Sequence, residues 1–125
     1  MRAQGGAHAL AMAGRLQAAR LAFLDVVAFV AGGMAKGSAV SPNAVFAGSV
    51  PYLMLAGNLV AGWQMARALL AAEAQLAAGV EADFMRAKIS TARFYGDHLL
   101  SKAPGLRDSI VDGFAGVTEM ALDAF

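Results

Sequence analysis

The residues best suited to acid–base or metal chemistry are two histidines, His8 and His98, and a small number of glutamates. A di-metal site in a helical bundle needs several inward-facing glutamates, some of them followed three positions later by histidine. That spacing is absent after each of the three glutamates in the chain, Glu73, Glu81 and Glu119. The aspartate next to His98 would point away from it on a helix. We therefore predict no metal site and no acid–base pair, and a surface or helix-end position for His98.

Patterns for nucleophilic catalysis and phosphate binding are incomplete in this sequence. Neither histidine stands in a motif that pairs it with a serine and a carboxylate. The segment GNLVAG has the glycine spacing of a phosphate loop but lacks the Lys-Ser/Thr that should follow, so we interpret it as a packing feature of a helix. The chain has no cysteine, which excludes thiol chemistry and is compatible with a reducing cytoplasm. We predict a cytoplasmic protein that is not a self-contained enzyme.

Basic residues are the remaining candidates for binding. Arg86, Lys88 and Arg93 could hold a phosphate or face an acidic partner, but we favour a solvated helix face with weak pairs such as Arg93 with Asp97. Ten basic and nine acidic residues nearly cancel over the whole chain. Binding of nucleic acid requires a basic surface, and we therefore predict no nucleic-acid partner.

Proline and glycine divide the chain into four segments, all rich in helix-forming residues. The first helix is predicted from about residue 6 to residue 34, with an apolar stripe at Leu10, Leu21, Leu24, Val27 and Ala28. The second is predicted from about Asn43, with Ser41 able to cap it and Pro42 suited to a first helical position. It should continue to about Ala78 and Gly79, a natural C-terminal stop. Pro51 lies within it, so either the helix is kinked there or it begins at Ser49, with Ser49 as the cap.

The third helix is predicted to open at EADF, where Asp83 can accept hydrogen bonds from the free amides of the first turn. Its expected buried face comprises Phe84, Ala87, Thr91, Phe94, Tyr95 and Leu99. The chain should break within LLSKAPG, and the fourth helix should then bury Leu106, Ile110, Phe114 and Val117. Short connections favour antiparallel neighbours. We predict one all-α domain over residues 1–125, an up-down antiparallel four-helix bundle.

A long uncharged stretch, residues 37–66, raises the question of a membrane span. Ser49, Pro51, Asn58 and Gln64 interrupt it, and polar residues interrupt the N-terminal segment, so we predict neither a span nor a signal peptide. The composition is 58% hydrophobic and 15% charged, which indicates that something besides this chain covers part of its surface. We expect the aromatic residues to be mainly core, with Trp63 and Tyr95 the best candidates for interface anchors.

Two stretches, SVPYLMLAGNLVAGWQMARALLAA and FMRAKISTARFYGDHLL, carry a resemblance to a known family. With the terminal VTEMALDAF they resemble the extreme C-terminal helical domain of acyl-CoA dehydrogenase-like flavoproteins. The closest likeness is to the extended type, as in 3-methylmercaptopropionyl-CoA dehydrogenase-like enzymes. The combination of GW-x-MAR at residues 62–67 with AK-x-x-TARFY at residues 87–95 is the specific part. The resemblance extends over about residues 44–125, and the first helix agrees in being alanine-rich and amphipathic.

The resemblance implies a parent enzyme that binds FAD, removes the α and β hydrogens of an acyl-CoA and passes electrons to an electron-transfer flavoprotein. Other domains of that family carry the flavin site and the catalytic glutamate, so no catalytic or cofactor-binding residue is transferred to this chain. The positions transferred as structural or interface residues are Trp63, Arg67, Lys88, Arg93 and Tyr95. We expect a detached piece, an expressed domain or a truncated relative, that packs on the remaining domains or on another copy of itself.

Two other hypotheses remain open. A stand-alone helical interaction module would bind an acyl ligand or a partner helix. A nucleic-acid-binding role is the weaker of the two, because the net charge of the chain is only +1.

Overall fold

The computed structural model describes residues 6–125, and the helices account for most of them. In chain order they are α1 (Ala7–Gly33), α2 (Pro42–Ala47), α3 (Ser49–Ala77), α4 (Ala82–His98), α5 (Ala103–Val111) and α6 (Ala115–Thr118). Short 3-10 turns occupy Leu100–Lys102 and Leu122–Ala124. Residues 6–125 contain no strand. The predicted all-α class is therefore confirmed.

The start of α3 settles how Pro51 is accommodated. A separate short helix, α2, comes first, and the Ser41 hydroxyl caps it by accepting a hydrogen bond from the Ala44 amide at 3.3 Å. Gly48 then separates α2 from α3, and Pro51 lies in the first turn of α3, where no intrahelical amide is needed. The interpretation that the long helix begins at Ser49 is correct. Ser49 is not its cap, because the hydroxyl donates backwards to the Phe46 carbonyl at 2.7 Å.

The connection between α3 and α4 is a tight reversal. Gly79 adopts φ +74, and the Gly79 and Val80 amides donate to the carbonyls of Leu76 and Gln75, both at 3.0 Å. This arrangement satisfies the free carbonyls at a helix end, as the sequence predicted for this glycine. The prediction that Asp83 caps α4 was wrong. Asp83 instead accepts a hydrogen bond from Arg86 Nη1 at 2.8 Å, and α4 has no side-chain cap.

Contacts between the long helices show their directions. Helix α1 runs antiparallel to α3, since Phe23 meets Tyr52 near the start of α3 with ring centroids 5.8 Å apart, whereas Gly6 lies beside Glu73 near its end. Helix α1 runs parallel to α4 and α5. Along it, Arg15 pairs with Asp97 at 3.6 Å, and Asp25 pairs with Arg107 at 3.3 Å.

The predicted four-helix bundle is not confirmed. Helices α4 and α5 follow one another along the α1–α3 pair, joined by the 3-10 turn at Leu100–Lys102, and each contacts both α1 and α3. The main body is therefore an up-down-up arrangement of three columns: α1, α3, and the broken column of α4 and α5. Pro104 explains the break, because it is placed in the first turn of α5 rather than inside a longer helix.

The core lies where these columns meet. The largest side chains that it buries completely are Val26, Leu55, Leu69, Leu100 and Ile110. Alanines and glycines fill the positions between them and bring the backbones close together. A Cβ added to Gly62 would lie only 2.5 Å from Cδ2 of Leu100, and one added to Gly48 would lie 2.9 Å from Cγ2 of Ile110. These two glycines therefore allow α3 to approach the broken column closely.

Two predicted apolar stripes were assigned to the wrong helix face. On α1 the buried residues are Met12, Ala19, Ala22, Val26 and Gly33, whereas the predicted stripe of Leu10, Leu21, Leu24, Val27 and Ala28 is exposed. On α4 the core takes Ile89, Ala92 and Gly96, whereas Phe84 and Phe94 are exposed. In both helices the buried face consists largely of small residues, because the columns pack closely. The apolar stripe predicted for the fourth helix is partly correct, since Ile110 is buried but Val117 is exposed.

One helix of the described chain, α1, is long and apolar enough to cross a membrane by length and composition alone. The core helix of a soluble protein and a signal sequence meet the same criterion, so this is weak evidence for a span. Helix α3, which contains most of the long uncharged stretch, does not meet it. The absence of a membrane span stays a prediction.

Candidate interaction surface

An apolar surface lies beside the seam between α1 and α3. It extends from Leu16 to Met34 along α1, from Ser49 to Trp63 along α3, and over Phe46 of α2. Leu53 belongs to it by helical spacing, because it lies one turn after Ser49 and two turns before Val60. We call this surface the α1–α3 face. Its most exposed apolar members are Leu24, Met34, Phe46, Leu53, Val60 and Trp63, each with between 47% and 73% of its surface accessible. Large side chains exposed together in this way indicate an interaction surface.

Two apolar grooves follow one another along this face. The first, about 390 Å³, is lined by Leu16, Arg20, Phe23, Leu24, Leu59, Val60 and Trp63. The second, about 320 Å³, is lined by Val30, Met34, Val45, Phe46, Ser49 and Tyr52. The contact between Phe23 and Tyr52 links the two grooves. The result is one elongated depression rather than an enclosed pocket.

The charges on this face are basic and lie at one end of it. Arg20 lines the first groove, and the Arg67 guanidinium lies 5.4 Å from the centroid of the Trp63 ring. This geometry is a cation–π contact, which holds the arginine over the aromatic face. Arg67 also donates to Gln64 Oε1 at 3.1 Å. Neither groove is lined by an acidic side chain.

The other predicted interface residues lie on α4, away from this face. The Lys88 ammonium is 5.4 Å from the Phe84 ring centroid, on the exposed side of the helix. The Tyr95 hydroxyl donates to the Asn58 carbonyl at 3.0 Å and so joins α4 to α3. Burial raises the pKa of the Tyr95 phenol above its ordinary value. Tyr95 therefore acts within the fold, whereas Trp63 and Arg67 are the two that lie together on the α1–α3 face.

Arg93 lines a small cavity of about 70 Å³ between α1 and α4, together with His8, Arg15 and Asp97. The proposed pairing of Arg93 with Asp97 is not observed within residues 6–125, where Arg15 takes that carboxylate at 3.6 Å. Because the Asp97 carboxylate neutralises one of the two arginines, the net positive charge around the cavity is small. As predicted, His98 lies at the end of α4 and is exposed; its ring packs against Phe94 with ring centroids 4.5 Å apart.

The described residues do not fit a metal or a flavin. Across residues 6–125 no three potential ligands among His, Cys, Asp and Glu come together. A flavin needs converging polar groups to orient its ring and its pyrophosphate. The two grooves of the α1–α3 face are open, and the polar side-chain groups along them are few: those of Arg20 and Ser49, the Tyr52 hydroxyl and the Trp63 indole N–H.

Sequence reasoning missed most residues of the face. Leu53, Val60 and Phe46 received no role, although the absence of charge from residue 37 to residue 66 was visible. A helix that is apolar on every side does not show which side meets the core. The positions of the small residues could have indicated which side of α3 faces the core. Gly48 and Gly62 lie against the broken column, whereas Leu53 and Val60 are exposed.

The exposed apolar residues of the α1–α3 face are typical of a surface that packs against another protein surface. Comparison with protein families agrees: the chain matches the family described as "Acetyl-CoA dehydrogenase C-terminal like" over residues 2–121. The chain belongs to this family.

A curated relative is the 3-methylmercaptopropionyl-CoA dehydrogenase of Ruegeria pomeroyi, which is 44% identical over 112 residues. The match covers 87% of this chain but only 18% of the relative, in its C-terminal part. The chain thus spans less than a fifth of the length of the protein that it resembles. No solved structure matches it.

Proposed function

We propose that this chain is the accessory C-terminal helical domain of an acyl-CoA dehydrogenase-like flavoenzyme, with a structural and assembly role and no catalysis of its own. The observation that carries the proposal is the family match over residues 2–121, combined with a 44% identical relative in which the corresponding part is only 18% of the whole. A domain of that share, without a cluster of catalytic groups in its described residues, is suited to support a separate catalytic body.

The wider activity that we propose belongs to the assembled enzyme. It is an FAD-dependent oxidation of a CH–CH bond in an acyl-CoA, and the name of the Ruegeria relative makes 3-methylmercaptopropionyl-CoA one candidate substrate. The flavin would be held by the other domains, in agreement with the poor fit of the two grooves to such a ligand. We also propose a cytoplasmic location, which the lack of cysteine supports.

The α1–α3 face supplies the physical basis of the assembly role. Leu53, with 73% of its surface exposed, and Val60, with 59%, gain stabilisation when a partner removes them from water. The partner would be the remaining domains of the enzyme or a second copy of this chain. Either one would remove the excess of apolar surface that the composition indicates.

Co-expression tests this proposal directly. The catalytic part of the Ruegeria relative, without its own C-terminal match, is expressed with and without this chain. We expect this chain to co-purify with it and to increase its yield or its flavin content. A matched variant, Leu53→Asp, should weaken the association without unfolding the chain, because Leu53 is exposed. Turnover of an acyl-CoA by this chain alone would refute the proposal.

A second candidate function is a stand-alone interaction module that binds an acyl ligand. The observation in its favour is the apolar lining of the two grooves, about 390 and 320 Å³ in volume. Native mass spectrometry of the purified chain distinguishes the two functions. A co-purified acyl compound of constant mass would support this second function, whereas its absence together with binding to the catalytic part would support the first.

A further inference from the structure

We propose that the α1–α3 face binds a single amphipathic helix whose flank is acidic at one end. The inference rests on the proposed function, because that helix would belong to the catalytic part of the same enzyme. It goes beyond it by naming the chemistry of the partner and its orientation. The argument uses the shape of the depression, its lining and the position of its charges.

The shape of the depression fits one helix. The two grooves extend along α1 from Leu16 to Met34, which at 1.5 Å per residue is roughly 27 Å. A partner helix of about 18 residues has the same length. Its apolar residues at i, i+3, i+4 and i+7 would occupy the two grooves in turn, as in other helix-in-groove complexes. Aromatic side chains line both grooves and Met34 lines the second, and such side chains suit this kind of packing.

The charges select an acidic partner. Arg20 and Arg67 both lie at the Trp63 end of the depression, and no carboxylate lines either groove. An acidic flank on the bound helix would complement both guanidinium groups. The C-terminal end of a helix carries partial negative charge, so the same end of the depression suits the C-terminus of the partner. We therefore expect the glutamates or aspartates of the partner in its last turns, near Trp63.

The same observations argue against the competing occupants. A membrane-binding helix face carries many lysines and arginines, whereas this face has only Arg20 and Arg67 along its grooves. A second copy would bring another basic end and would offer no carboxylates from its own α1–α3 face. A free acyl chain would leave most of the 27 Å depression uncovered unless it lay extended along both grooves.

Trp63 is the only tryptophan of the chain and lines the first groove, so its fluorescence reports on binding. The probes are three 18-residue amphipathic peptides without tryptophan, with one apolar face in common. The first has three glutamates in its last two turns, the second has the glutamates in its first two turns, and the third has lysines in place of the glutamates. We expect the first peptide to shift the emission of Trp63 to shorter wavelength and to bind most tightly.

Charge reversal provides the decisive comparison. In the double variant Arg20→Glu and Arg67→Glu, the first peptide should bind about tenfold more weakly and the lysine peptide more tightly, because each reversal replaces an attraction with a repulsion. Arg86→Glu is the matched control, since Arg86 is an exposed arginine on α4. It should leave the affinities of all three peptides unchanged. Circular dichroism confirms that each variant is folded.

Four outcomes would overturn the inference. The first is equal binding of all three peptides, and the second is an emission shift that depends only on protein concentration and accompanies dimer formation. The third is saturable binding of a long-chain acyl-CoA that displaces the first peptide. The fourth is an emission shift with anionic phosphatidylglycerol vesicles that exceeds the shift with peptide. The accessory role is judged separately. If the double variant still co-purifies with the catalytic part at full yield, the accessory role stands and this inference fails.

Discussion

The close contact between Gly62 and Leu100 allows a sharp test of the packing between α3 and the broken column. Replacing Gly62 with Ala favours the helix by about 1 kcal/mol, because glycine is a poor helix former. The new Cβ would lie 2.5, 2.9 and 3.0 Å from Cδ2, Cδ1 and Cγ of Leu100. Leu100 is only 1% exposed, so any shift of its side chain has to be accommodated within the packed core. Overpacking of this kind costs about 1–3 kcal/mol, so the net change is a loss of roughly 0–2 kcal/mol.

Gly57→Ala is the matched control on the same helix. A Cβ at Gly57 would meet nothing within 4 Å, so only the helix propensity changes. We expect a gain of about 1 kcal/mol in the free energy of unfolding. Gly62→Ala should therefore be less stable than Gly57→Ala by roughly 1–3 kcal/mol.

Urea unfolding followed by helical circular dichroism measures both variants. In a background of Leu100→Val, which shortens the opposing side chain, the difference between the two alanine variants should become smaller. The reasoning is refuted if Gly62→Ala is as stable as Gly57→Ala in the original background. That result would show that Leu100 does not pack against Gly62 in solution.

Three further predictions concern single interactions. Tyr95→Phe removes the hydrogen bond to the Asn58 carbonyl and should cost about 1 kcal/mol in urea unfolding. Because burial raises the pKa of Tyr95, the stabilising contribution of its neutral phenol is complete below pH 10 and declines as the pH rises through the folded-state pKa. If the stability of the wild type falls no more steeply at alkaline pH than that of Tyr95→Phe, this prediction is contradicted. Glu81→Gly should stabilise the chain by about 1 kcal/mol, because Glu81 has a φ of 43 that glycine adopts without strain. An unchanged thermal midpoint would contradict this prediction. Arg107→Ala should lower the thermal midpoint at low salt, because it removes the ion pairs with Asp25, Asp108 and Asp112. A deficit that persists undiminished in high salt would exclude an electrostatic origin.

The sequence predicted several ends of the helices, because turns and caps depend on local chemistry, although Ser49 and Asp83 do not act as caps. Ser41, Pro42 and Gly79 act as expected, and the chain breaks near Pro104. These positions are determined by hydrogen bonds and backbone angles within a few residues. They can therefore be predicted without knowledge of the tertiary structure.

The faces of the helices could not be predicted in the same way. Alanine, leucine and glycine occur around most of α1 and α3, so the sequence pattern does not distinguish core from surface. The structure buries Ala19 and Ala22 and exposes Leu21 and Leu24, since close packing of the columns favours the smaller residues. The number of columns also depends on tertiary contacts, because two short helices can lie side by side or end to end. Of the predicted interface residues, Trp63 and Arg67 are exposed beside the seam, whereas Tyr95 is used within the fold.

The interruption of the third column has a consequence for the order of assembly. Helix α5 has nine residues, too few to be stable in isolation, whereas α1 and α3 have 27 and 29. We expect the α1–α3 hairpin to form first and to provide the template on which α5 becomes ordered. Amide hydrogens of α5 should then exchange with solvent through local opening, while those in the middle of α3 exchange only when the entire chain unfolds. Slower exchange in α5 than in α3 would reverse this order.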